Sequence, residues 1–99
     1  MPTGMELSVR RLHARKLVML LTPEQLRAAR GLLDWSRADL AKRSGTAPET
    51  IQAFEIGASD PKLSTLRKWR LALQRAGVEF IDAEADKGPG VRLAAGRKD

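Results

Sequence analysis

From residue 22 onward the apolar positions recur every three or four residues, the spacing of one helix face. Polar residues suited to capping mark where each run begins. "TPEQ" sets Thr22 as N-cap, Pro23 at the first helical position and Gln25 three residues after the cap. Leu26, Ala29 and Leu33 follow at helical spacing, and this helix is expected to end near Asp34. "SRAD" repeats the device: Ser36 caps, and Asp39 can bond back and complement the helix N-terminus. Leu40 and Ala41 face inward, and Gly45 stops the second helix in a left-handed turn. Pro48 starts a third helix with Ile51 and Phe54 as its apolar face, and Gly57 ends it. "ASDPKLS" reads as loop. Ser64 is the expected cap of a fourth helix, with Leu66, Trp69, Leu73 and Ala76 on one stripe and Gly77 closing it.

The period then changes. "VEFI", Val78 to Ile81, and "VRL", Val91 to Leu93, read as strands. The polar stretch "DAEADKGPG" joins them, with glycine-proline-glycine as the expected turn. The pattern therefore predicts a mainly α protein: a four- to five-helix bundle followed by a short C-terminal β-hairpin. Residues 1–21 are expected to be a basic, partly disordered extension. Its apolar run "KLVMLL" is a strand or a helix end, with the apolar end tucked on the core. Residues 22–93 form the domain, and 94–99 a disordered tail.

Composition narrows the function. The 99 residues hold no Cys, so disulfides, thiolate metal sites and Cys nucleophiles are excluded. One His, no glycine-rich phosphate loop and carboxylates placed at caps or turns argue against an enzyme, and no metal or other cofactor is expected. No apolar run approaches the roughly 20 residues of a membrane span. The first residues lack the order of a secretory signal, so a cytoplasmic protein is expected. The net charge of +6 favours a polyanionic partner. It is uneven: +3 falls in residues 1–21, +2 in 22–82 and +1 in 83–99. Arg10, Arg11, Arg15 and Lys16 form a basic arm that either wraps DNA or is simply solvated. His13 reads as an exposed arm residue, and Trp35 and Trp69 read as core rather than base-stacking residues.

Helix, tight turn at Gly45 and helix make a helix-turn-helix unit, in which the first helix braces the second and the second meets base edges in the major groove. The stretch "LTPEQLRAARGLLDWSRADLAKRSGTAPETIQAFEIG" resembles the Xre/Cro–C1 family of bacterial and phage regulators. The resemblance rests on Leu40-Ala41, Gly45, Thr50-Ile51 and Phe54-Glu55 before Gly57. "STLRKWRLALQRAGVEFI" followed by "GPGVRL" is similar to a compact subgroup with a C-terminal hairpin.

The resemblance implies transcriptional control through double-stranded DNA, as a homodimer on paired half-sites, with the hairpin or the N-terminal arm as interface. It places Arg37 at a backbone-contacting position after the second cap. Lys42, Arg43 and Lys62 are further candidates for phosphate contacts, which position without reading sequence. The base-facing positions are Ala47, Pro48, Glu49, Gln52 and Ala53. They are poor in the donors DNA reading uses: Pro48 has none, Ala53 offers a methyl, and only Glu49 and Gln52 carry polar groups. Ile56 and Leu71 fall off the buried stripes. With Ala53 they are the candidate contacts of the alternative reading, an antiactivator that captures a transcription factor on the same fold. Small members of the family also suit a toxin–antitoxin pairing.

Overall fold

The computed structural model describes residues 21–95. The readings on the N-terminal arm, including "KLVMLL" up to residue 20 and His13, and on residues 96–99 lie outside the described residues. Four helices and one hairpin follow in order: α1 (Pro23–Leu33), α2 (Arg37–Ser44), α3 (Pro48–Glu55), α4 (Leu63–Arg75), β1 (Val78–Ile81) and β2 (Gly90–Leu93).

Local chemistry sets most of the ends. Thr22 and Gln25 form a reciprocal capping box at α1, as do Ser36 and Asp39 at α2. α1 ends at Asp34 with φ 57, a left-handed backbone that Asp tolerates better than most residues. The Trp35 N–H then reaches back to the Arg30 carbonyl at 2.9 Å. α2 ends the same way at Gly45, where φ is 71 and Gly carries no Cβ penalty, and Thr46 N–H bonds the Ala41 carbonyl at 3.0 Å.

Two expectations need correction. α4 starts at Leu63 with Lys62 as N-cap, and no side chain caps it; Ser64 lies inside the first turn. The chain leaves Pro61 extended (Lys62 ψ 152) and enters the helix at once, so the hydroxyl at position 64 comes too late. The hairpin also does not turn at glycine-proline-glycine. Glu84 and Lys87 exchange both backbone bonds, at 2.9 and 2.6 Å, around a tip of Ala85 and Asp86. Gly90 is instead the first residue of β2, paired with Ile81.

The core runs through all elements: Leu21, Leu26, Leu40, Ile51, Leu66, Trp69 and Leu73 are fully buried, and Phe54 and Val78 nearly so. Leu33, Trp35, Phe80 and Val91 pack against it, half-buried. Phe54 and Trp69 lie with ring centroids 5.4 Å apart, which locks α3 to α4. Gln25, buried, has a second task beyond capping. Its Nε2 donates to the carbonyls of Gly90 at 2.9 Å and Ile81 at 3.4 Å, and so ties the start of α1 to one register pair of the hairpin.

Candidate nucleic-acid interface

The turn between α2 and α3 is held from beneath. Trp69 Nε1 donates to Thr46 Oγ1 at 2.9 Å, and Thr46 Oγ1 lies 2.9 Å from Ser44 Oγ. The indole N–H of a fully buried ring thereby gets its partner from the turn itself. Ala41 is buried and small, which lets α2 and α3 approach closely.

α3 presents two different faces. Inward, Ile51 and Phe54 join the core and Glu55 is 1% exposed. Outward, Ala47, Pro48, Glu49 and Gln52 are exposed and Ala53 is half-buried. Neither Glu49 nor Gln52 has a side-chain partner among the described residues. Ala47 makes no side-chain cap bond, and Pro48 follows at the first helical position.

Glu55 is a centre that pattern reading missed. Arg30 clasps its carboxylate bidentately, Nε to Oε2 at 2.7 Å and Nη2 to Oε1 at 2.8 Å. Arg37 Nε adds a bond to Oε1 at 2.9 Å, and Arg27 Nη1 donates to the Glu55 backbone carbonyl. A buried carboxylate is expensive unless paired and hydrogen-bonded, and here every buried side-chain polar atom among the described residues is satisfied. The signal was available in part: Glu55 follows Ile51 by four residues and Phe54 by one, so it had to face inward with them. Which cations meet it was not visible, because Arg30 lies 25 residues away.

The phosphate-contact candidates separate into three kinds. Arg37 is fixed through Nε to Glu55, its side chain 39% exposed, and its other N–H groups make no bond among the described residues. Lys42 and Lys62 are exposed and make no ion pair among the described residues. Arg43 lies over the Trp35 ring, 4.5 Å from its centroid, beside a cleft shared with Ala72, Arg75 and Ala76 of the α4 end. Asp39 sits among these cations. Its carboxyl is held below the usual range, first by the Ser36 backbone N–H, then by the Ser36 hydroxyl, with smaller help from Arg43 and Lys42. Of the apolar candidates, Ile56 is 67% and Leu71 46% exposed. Ile56 is the C-cap residue just past α3 and Leu71 stands on α4, with Ala53 on the α3 side. No His, Cys, Asp or Glu cluster able to hold a metal occurs among the described residues, and none of their helices is long and apolar enough to cross a membrane.

A family model described as helix-turn-helix matches residues 26–80, over half of the chain. Two relatives called Antitoxin HigA1 come from Mycobacterium tuberculosis strains CDC 1551 / Oshkosh and ATCC 25618 / H37Rv. Each is 42% identical to this chain over 61 residues. The match covers 62% of this chain but 38% of each relative, so the chain spans well under half of their length.

Proposed function

The chain belongs to the Xre/Cro–C1-type helix-turn-helix family of transcriptional regulators, and on that premise we propose that it binds double-stranded DNA as a paired module, with α3 in the major groove. One observation carries this reading: α3 is anchored by its inner face, while among the described residues its N-cap makes no side-chain bond and Glu49 and Gln52 on its outer face have no side-chain partner. Arg37, Lys42 and Lys62 hold phosphates; Glu49 and Gln52 supply what direct base readout there is. Arg43 contributes less, because its guanidinium already lies on Trp35. Fluorescence anisotropy on promoter DNA at two salt concentrations tests this. Expected is sequence-preferring binding with a steep salt slope, reduced by about 1 for each of Lys42→Ala and Lys62→Ala. Binding seen only at low salt, and indifferent to sequence, overturns it.

A second reading is favoured by the exposed Ile56, which stands beside the half-buried Ala53 on a helix poor in base-reading groups. It makes this surface the seat of a partner protein, a transcription factor or, as the name of the HigA1 relatives suggests, a toxin. Under it, Ile56→Lys abolishes partner capture and leaves the fold intact; capture that survives the substitution sinks it.

A further inference from the structure

Helix α4 and the hairpin loop carry opposite charges, most of which form no ion pair among the described residues. α4 holds Arg67, Lys68, Arg70 and Arg75 and no acidic residue. At about 100° per residue, Leu71 falls on the side of α4 opposite the buried Leu66, Trp69 and Leu73. Arg67 stands four residues before it and Arg75 four after, so the three form one outward row with Lys68 alongside. Arg70 is engaged on the Phe80 ring, 4.8 Å from its centroid, whereas Arg67, Lys68 and Arg75 make no ion pair among the described residues. A shallow groove beside Leu71 is lined by Arg67, Arg70 and Gln74.

Asp82, Glu84 and Asp86 lie in the hairpin loop, all exposed, and their carboxylates are likewise unpaired among the described residues. This loop is not slack. The two-way Glu84–Lys87 backbone pair fixes its tip, so little ordering is left to be lost on docking. Ile81, 37% exposed, stands at its base.

We propose that the outer face of α4 seats a second copy of this chain, which lays its 82–86 loop there, and that the exchange is reciprocal about a two-fold axis. Three carboxylates meet three cations on each side of the axis, and Leu71 with Ile81 supplies apolar contact. The chain's own loop leaves these cations unmatched, and α3 stays clear for another ligand. The proposal deepens the paired-module reading by naming the surface that pairs. Such an interface takes register and encounter rate from charge and weakens with salt.

The test is sedimentation equilibrium on the full chain without DNA. Expected is a monomer–dimer equilibrium whose dissociation constant rises about tenfold or more from low to high salt. Arg67→Glu with Lys68→Glu and Arg75→Glu gives a monomer; so does Asp82→Lys with Glu84→Lys and Asp86→Lys. All six positions are exposed, and circular dichroism verifies that both variants fold. Mixing the two variants restores dimer, because each reversed surface now meets its complement twice. The proposal falls if the wild type stays monomeric, if either variant alone still dimerises, or if the folded variants fail to associate on mixing. It also falls if the α4 variant loses DNA binding while the wild type is monomeric, which makes the face a DNA contact. DNA binding by the wild type is measured separately. A monomer that binds its site ends this proposal and the pairing but leaves DNA binding by α3 standing, and a dimer that binds no DNA ends the DNA reading alone.

Discussion

Helices α2 and α3 each span 8 residues and flank one turn, yet they are held in opposite ways. α2 is secured at its ends, by the Ser36–Asp39 box in front and the left-handed Gly45 behind. Its middle contributes only Leu40 and Ala41 to the core. α3 has no side-chain cap and starts on Pro48; it is secured along its flank, by Ile51, Phe54 and the Glu55 clasp. A helix fixed by caps can be read from neighbouring residues. A helix fixed by tertiary contacts has its outer face and first turn free for a ligand, at the cost of depending on distant parts of the chain.

Four changes break or sharpen this contrast, and the largest strikes the flank of α3. Glu55→Ala leaves Arg30, 16% exposed, without its counter-charge. Removing one partner of a buried pair costs about 3–5 kcal/mol, a large part of the roughly 5–15 kcal/mol available to a domain. Urea denaturation should show the midpoint collapse; a loss below about 1 kcal/mol would mean that apolar contacts alone hold α3. Next is Thr46→Val, which strands the buried Trp69 N–H and should cost about 1–3 kcal/mol in the same experiment.

The third change gives α3 what α2 has. Ala47→Ser supplies the missing cap and should stabilise by about 0.5–2 kcal/mol; an unchanged midpoint would mean that the N-terminus of α3 already has equivalent partners. The smallest effect belongs to the α2 cap. The Asp39 carboxyl titrates below its usual range when folded, so its contribution is complete above that range and fades as pH falls through it. Asp39→Asn removes this component. Midpoints of wild type and variant should therefore differ near neutral pH and draw together as pH falls below the ordinary carboxylate range. A gap that stays constant with pH would show that the carboxylate charge is not what holds the cap.

The elements were largely legible in the chain. Thr22, Ser36 and Gly45 announce their helix ends because caps involve residues three to five apart. The same reasoning failed at Ser64, where extended backbone after Pro61 started the helix early, and at glycine-proline-glycine, where the Ile81–Gly90 register moved the turn to Ala85 and Asp86. The candidate site was legible as a list of outward positions on α3, since these are the complement of Ile51, Phe54 and the turn. How its cations are distributed was not. Arg37, Arg43 and Lys42 sit within one short helix, and nothing local says that the first reaches Glu55, the second lies on Trp35 and the third stays in solvent.

What the amino-acid order determined by itself is therefore what local interactions decide: the helices, the capping boxes of α1 and α2, the apolar stripes and the family pattern of the helix-turn-helix. The tertiary structure alone decided where side chains far apart in sequence meet. Gln25 bridges to Gly90 across 65 residues, Trp69 to Thr46 across 23 and Glu55 to Arg30 across 25. A polar side chain on a helix face satisfies itself in water equally well until packing removes the water. Only then does the fold choose its partner, and with that choice decide which charges remain outside for DNA or for another copy of the chain.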